Sequence, residues 1–228
     1  MMLCEWEDLP ENMKIDEVKP YYDCLYKHRF QLTIKRVVDV FISSVLLLFL
    51  WPIFLILAIA IKIDSPGPVF YRQLRVGQYG KLFRIFKFRS MVNDADKKGS
   101  LVTIQGDKRI TKVGNFIRRY RLDEMSQLFD VFRGTMTLVG TRPEVKKYVD
   151  QYDKTMLATL LLPPGVTSLA SIAYRDENNF IKKEHPDDDY VKKILPLKMK
   201  YNLTELSNVG FMHDIKIMFR TIFSVIFK

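Results

Sequence analysis

The sequence predicts an α+β protein, a compact helix-rich domain with one small β-hairpin, carried on an apolar membrane helix. Three observations predict this. Residues 40–61 form a run of 22 without a charge. Two β-rich segments flank Gly77-Gln78-Tyr79-Gly80. Apolar residues recur at helical spacing over 114–132 and again in the tail.

The totals bound the partners. A chain of 228 residues can bury a full core. Lys plus Arg outnumber Asp plus Glu by 36 to 26, a formal charge of +10. That balance suits a polyanion: nucleic acid, anionic lipid or a phosphorylated substrate. Sixteen Phe and eleven Tyr argue against a disordered chain. Cys4 and Cys24 make neither a disulfide framework nor a metal-ligand spacing, which fits a reducing, cytosol-facing protein. Three scattered histidines give no zinc site.

Residues 1–30 lack the basic and apolar regions of a signal peptide and read as an extension lying on the core. Residues 31–64 hold the membrane helix. As one helix the uncharged run is roughly 33 Å long, about the thickness of the hydrocarbon core. Pro52 removes the bond to the Leu48 carbonyl and predicts a kink. That carbonyl then needs another partner, and Ser43 and Ser44, about a turn earlier, could help. Basic residues flank both ends: Lys27, Arg29, Lys35 and Arg36 before, Lys62, Arg72, Arg75 and Lys81 after. A spanning helix usually has one less positive side. Basic ends on both sides suit a helix that bends and returns to the same face. On residues alone the spanning and re-entrant readings stay equally open.

No second apolar run of this length follows, so 65–228 is expected on one side of the membrane, the cytosolic one. Ser65-Pro66-Gly67-Pro68 breaks the helix. The hairpin around 77–80 carries Arg72, Arg75, Lys81, Arg84, Lys87 and Arg89, read as a solvated basic edge that could touch anionic headgroups. Residues 92–112 read as a polar loop and lid candidate. A helical pattern from Gly114 to Phe132 breaks near Leu122-Asp123-Glu124, and Gly134 closes it. Thr137–Glu144 reads as a short buried strand and a Gly-Thr-Arg-Pro turn. Pro163-Pro164-Gly165 is another break, and 176–189 reads as a solvated acidic loop. The tail is amphipathic and could either pack on the core or lie in a membrane interface.

The familiar phosphate-binding glycine loops and the Gly-x-Ser-x-Gly elbow are absent from the sequence. What remains is Asp123-Glu124, many arginines and a membrane anchor. Adjacent acids could be an ordinary helix start, because acids favour a helix N-terminus. They could equally be a nucleophile and its metal-binding neighbour. A carboxylate can attack phosphorus, a second can hold Mg²⁺, and arginine binds phosphate oxygens in pairs. The residues point to phosphoryl transfer at a membrane surface.

Here the motifs become specific. From Lys35 onward the chain resembles the bacterial sugar transferases, the monotopic phosphoglycosyl transferases that load a sugar phosphate onto undecaprenyl phosphate. The resemblance rests on ordered stretches: the membrane segment through "SPGPVFYRQ", then "GKLFRIFKFRSM", "DKRITKVGNFIRRYRLDEMSQLFDVFRGTMTLVGTRPE" and "LPPGVTSLASI". It implies a re-entrant helix bent at Pro52 and amphipathic interfacial helices. The place implied is the bacterial inner membrane, with the catalytic domain facing the cytoplasm. It implies Asp123 as nucleophile, Glu124 beside it with Mg²⁺, and Arg118 and Arg142 on phosphates. Lys87 and Arg89 would lie on a basic strand near the site. The implied donor is a nucleotide diphosphate sugar, expected to be a UDP-sugar. The implied acceptor is undecaprenyl phosphate, reached by a ping-pong scheme. A homodimer is compatible with this reading.

The chain departs from the family pattern in places. Trp51 stands where serine often precedes the proline, Ser126 replaces a proline, and Asp130-Val131 replaces Asn-Val. Gly140-Thr141-Arg142-Pro143 replaces Gly-Pro-Arg-Pro and keeps the arginine. Ser168-Leu169-Ala170-Ser171 replaces Gly-Trp-Ala-Gln, a stretch associated with the nucleotide-sugar pocket, and so leaves the sugar open. The chain resembles the minimal catalytic form with a 30-residue extension. Two other readings compete. A non-catalytic interaction protein on this fold sits poorly with the retained acids and arginines. A nucleic-acid binder explains the charge but not the uncharged run.

Overall fold

The uncharged run folds as part of one helix, α2 (Arg29–Asp64), in the computed structural model, which describes residues 3–95, 107–175 and 186–226. One face of α2 is buried: Leu32, Lys35, Asp39 and Ser43 in its first half, Phe54, Leu57 and Ile61 in its second. Steps of three and four residues keep them on one stripe. Much of the remaining surface is apolar and exposed, including Phe41, Leu48, Phe49, Trp51 and Ile56. Among the described residues it is the one helix long and apolar enough to cross a membrane. The helix continues through Pro52. Ser43 and Ser44 do not serve the Leu48 carbonyl. Both donate to the Val40 carbonyl, at 3.1 and 2.6 Å. A helical serine reaches back to i−3 or i−4, never forward.

Charged residues early in α2 are used inside the protein. Lys35 pairs with Asp214. Arg36 donates to the carbonyls of Val131 and Phe132 at 2.6 and 2.9 Å. Asp39 accepts from the Thr137 hydroxyl at 2.5 Å and the Leu138 N–H at 3.2 Å. Lys35 and Arg36, expected as membrane flanks, therefore bind the fold itself. Ahead of α2, helix α1 (Lys19–Lys27) and two 3-10 turns pack on the domain. Leu9, Met13, Val18 and Leu25 share a buried cluster with Leu160 and Leu161.

Past the break, β1 (Phe70–Tyr71) pairs antiparallel with β4 (Lys87–Phe88). Strands β2 (Leu74–Val76) and β3 (Leu82–Arg84) form the expected hairpin, closed by a 3-10 turn at Gln78–Gly80. Its basic residues do not make a uniform solvated edge. Arg72 stacks on the Phe86 ring at 3.4 Å, and Arg75 donates to the Pro143 carbonyl at 3.0 Å. Arg89 donates to the carbonyls of Pro66, Ile61 and Ser65, at 2.6, 3.4 and 2.6 Å. A helix end leaves carbonyls without helical partners, and a buried guanidinium satisfies them.

Helix α3 (Lys112–Arg119) starts where the Thr111 side chain accepts the Gly114 N–H at 3.0 Å. The break predicted near 122–124 is present. Arg121 turns left-handed, with φ 54°, and a 3-10 turn, Leu122–Gln127, leads into α4 (Leu128–Arg133). Gly134 ends α4 with φ 89°, a conformation that favours glycine. The buried strand β5 (Thr137–Val139) follows. Its parallel partner β6 (Gly165–Thr167) was not legible, because it lies inside a stretch that reads as a Pro-Pro-Gly break. The crossover between them holds α5 (Lys146–Val149). Beyond β6 come α6 (Leu169–Ala173), α7 (Pro186–Asp189), α8 (Leu195–Leu206) and α9 (Phe211–Ile226).

The central core joins Phe54, Leu57 and Ile61 of α2 to Phe88, Ile117, Val131, Leu138 and Ile217. The second half of α2 is thus a wall of the domain core. Helix α9 buries Ile217 there and exposes Met212, Phe219, Ile222 and Phe223. The core-packing expectation for the tail holds for one face, and the other face is apolar and exposed. Of the two expected loops, residues 96–106 and 176–185 lie outside the described residues.

Candidate active site

The 3-10 turn at Leu122–Gln127 sets the geometry of the acid pair. Successive residues of such a turn point about 120° apart, so adjacent acids face different partners. Asp123 Oδ2 lies 3.0 Å from Lys87 Nζ, delivered by β4. Glu124 Oε1 lies 2.5 Å from Arg142 Nη2, delivered by the turn after β5. Arg121 Nη1 approaches the same oxygen at 3.9 Å. Among the described residues, two carboxylates and three cations therefore share one site.

Burial alone would raise the Glu124 carboxyl. The nearby cations, Arg142 first, then Lys87 and Arg121, outweigh it and hold the group well below the usual carboxylate range. The cations thus favour the ionised form of Glu124.

The Arg142 turn is clamped from behind. The Val76 N–H donates to the Glu144 carbonyl at 2.9 Å, beside the Arg75 bond to Pro143. The buried Glu144 carboxylate accepts from the Tyr190 hydroxyl and lies 3.8 Å from Lys198. Paired burial of this kind costs little while intact and much if one partner is lost.

The structure brings together four of the residues singled out from sequence: Asp123, Glu124, Lys87 and Arg142. The other three lie elsewhere. Arg118 sits half-buried on α3, where its charge helps to lower Asp107, and among the described residues it meets neither acid. Arg89 spends its donors on carbonyls at and just beyond the α2 C-terminus. Pro52 lies exposed within α2. Sequence reasoning gave no separate role to Arg121 or Arg75. Nothing local marks an arginine for a left-handed backbone or for burial behind a turn 68 positions away.

Among the described residues no group of three or more His, Cys, Asp or Glu could hold a metal alone. Two carboxylates do fit the way Mg²⁺ is bound when substrate phosphates supply further oxygens. Asp123 and Glu124 would be the two carboxylates here, each paired with a cation, Lys87 and Arg142.

On the far side of β6, the Glu205 carboxylate accepts the Leu169 N–H at 2.6 Å and so anchors the start of α6. Burial pushes Glu205 up to about 7, with Asp214 adding to it and the Leu169 N–H and Lys35 opposing. An acid raised in the folded state favours folding while protonated. Wild-type stability should therefore fall as pH rises from about 4.5 to about 7, then level off. Glu205→Gln should flatten that slope. Thermal melts of both proteins at pH 5, 6, 7 and 8 check it, and parallel curves would refute it.

The chain is similar to proteins of known name. It is 35% identical over 218 residues to the UDP-glucose:undecaprenyl-phosphate glucose-1-phosphate transferase of Escherichia coli (strain K12), covering 93% of this chain and 44% of that protein. It is 33% identical over 196 residues to the UDP-N-acetylgalactosamine-undecaprenyl-phosphate N-acetylgalactosaminephosphotransferase of Aeromonas hydrophila, covering 85% and 44%. Against the exopolysaccharide production protein ExoY of Rhizobium meliloti (strain 1021) it is 33% identical over 173 residues, covering 69% and 76%. The chain thus spans under half the length of the first two. The family model described as bacterial sugar transferase matches residues 30–228, everything from the start of α2 through the acid pair to the last residue, and the chain belongs to that family.

Proposed function

We propose that this protein transfers a sugar-1-phosphate from a nucleotide diphosphate sugar, a UDP-sugar, to undecaprenyl phosphate. The observation that carries the reading is the acid pair with its cations, on a chain whose relatives are named for this transfer. A carboxylate oxygen of Asp123 attacks the sugar-bearing phosphorus. An Asp–O–P bond forms, the bond to the second phosphate breaks, and nucleoside monophosphate leaves. A phosphate oxygen of the acceptor then attacks the same phosphorus. That step frees the Asp123 carboxylate and yields the polyprenyl diphosphate sugar.

Lys87 and Arg142, each paired with an acid at rest, supply charge to the phosphoryl oxygens as the acids engage. Asp123 and Glu124 would hold Mg²⁺ with the diphosphate, and the ion would neutralise charge on the leaving group. Arg118 adds positive potential from α3. Arg89 acts by fixing β4 to the end of α2, and so positions Lys87.

The membrane reading is monotopic, with α2 re-entrant about Pro52 and α9 at the interface. It is supported by where the two ends of α2 pack. Arg36 binds the Val131 carbonyl, and Ile61 shares the buried core with Val131. A straight helix would set Arg36 and Ile61 roughly 38 Å apart. If it spanned a bilayer, its two ends could not both touch one cytoplasmic domain. The exposed apolar faces of α2 and α9 supply the surface that enters the lipid. The place is then the bacterial inner membrane, with the site facing the cytoplasm. Cysteine labelling that found Cys4 or Cys24 accessible only from the periplasm would overturn this.

The reaction is tested with membrane fractions, Mg²⁺, undecaprenyl phosphate and a panel of UDP-sugars that includes UDP-glucose and UDP-N-acetylgalactosamine. One or more should release UMP in an acceptor-dependent way. No monophosphate release across the panel would sink the reading.

A further inference from the structure

Arg121 immediately precedes the turn that carries the acids, and three features set it apart. Its backbone is left-handed, φ 54° and ψ 25°, a conformation that strains a residue with a Cβ. Its side chain is 37% exposed, against 14% for Glu124. Its Nη2 donates to the Arg175 carbonyl at 3.2 Å, just past α6.

The ordinary role for Arg121 would be to satisfy Glu124. The distances argue against it. Arg142 holds Glu124 Oε1 at 2.5 Å, whereas Arg121 stands 3.9 Å from that oxygen, beyond hydrogen-bond reach. The one side-chain hydrogen bond of Arg121 among the described residues goes to a carbonyl, which orients the guanidinium without cancelling its charge. Among the described residues, Lys87 pairs with Asp123 and Arg142 with Glu124. Among the described residues Arg121 is the third cation beside the two acids, its side chain is the more exposed, and N–H groups beyond the one bonded to Arg175 can meet an incoming group. A planar fork fixed at one corner suits phosphate oxygens.

We propose that Arg121 is a further substrate-binding residue, a third cation that takes a phosphate oxygen of the nucleotide diphosphate sugar. This rests on the transfer reaction above. The left-handed backbone swings the guanidinium around the acid pair, and the Arg175 carbonyl holds it there. When the diphosphate arrives, Arg121 has no strong bond to break, unlike Arg142. It can therefore engage the substrate before the paired cations rearrange.

The test compares full-length wild type with Arg121→Lys, Arg121→Gln and Arg121→Gly in affinity for UDP, UMP and uridine. Glycine accepts the left-handed backbone, so Arg121→Gly keeps the turn while removing the charge. UDP affinity should fall about tenfold or more in the Gln and Gly variants, and less in the Lys variant. Uridine affinity should stay within twofold throughout. UDP affinity unchanged in both neutral variants would overturn the proposal. So would equal losses for UDP and uridine, which would mark Arg121 as a strut between the turn and α6. A wild type that binds UDP but transfers no sugar phosphate would remove the reaction and leave this assignment standing. A wild type that binds no UDP would remove both.

Discussion

Asp123→Asn is expected to lower turnover by about 10⁴-fold or more while leaving the fold nearly intact. The amide has the shape of the acid but cannot attack phosphorus as a carboxylate does. The loss should exceed that of any cation variant, because removing the nucleophile removes the route rather than a stabilising charge. Folding should tolerate the change. The Asp123–Lys87 pair is lost, but the Lys87 side chain is 25% exposed and water can take over its solvation. The decisive measurement omits the acceptor. Wild type incubated with a UDP-sugar labelled in the sugar should retain the label on the protein after denaturation, and Asp123→Asn should not. Full turnover in the variant, or label retained by it, would refute the nucleophile assignment.

Gly165→Ala is expected to have the largest effect on stability of the single changes considered, about 3 kcal/mol or more. A Cβ at Gly165 would lie 2.1 Å from the Gly140 nitrogen, 2.4 Å from its oxygen and 2.6 Å from its Cα. All three are backbone atoms, which cannot move aside as a side chain can. The residues are locked at that spacing by the parallel register of Thr137 with Gly165, and by the Gly165 N–H bond to the Thr141 carbonyl at 2.8 Å. The melting temperature should drop by roughly 6–12 °C for a domain of this size. Activity should fall with it, because Arg142 follows directly on the displaced Gly140-Thr141. A melting temperature within 2 °C of wild type would show that the two strands separate at little cost.

Much of the fold was legible in local chemistry. The hairpin announced itself through two β-rich runs around Gly77-Gln78-Tyr79-Gly80, the closing of α4 through Gly134, and α9 through its repeating apolar residues. The hairpin charges were misjudged. Arg72, Arg75 and Arg89 read as a solvated strand edge, yet each found an acceptor or a ring on a distant segment. Sequence periodicity tells which face a strand residue takes, but not whether carbonyls wait there. The serines of α2 failed for a simpler reason, since their reach runs backward along the helix. The pairing of β5 with β6 was hidden because a parallel partner lies across a long crossover and leaves no local mark.

By itself the sequence determined the family, the long apolar character of α2 and the adjacency of the two acids, because these depend on composition and on the order of short motifs. Only the tertiary structure decided which cations meet those acids. It chose Lys87 and Arg142, turned Arg89 to the end of α2 and brought in Arg121. The physical reason is that a charge finds its partner through space. Lys87 lies 36 positions from Asp123, and whether an arginine serves a phosphate or a carbonyl depends on the packing that carries it there.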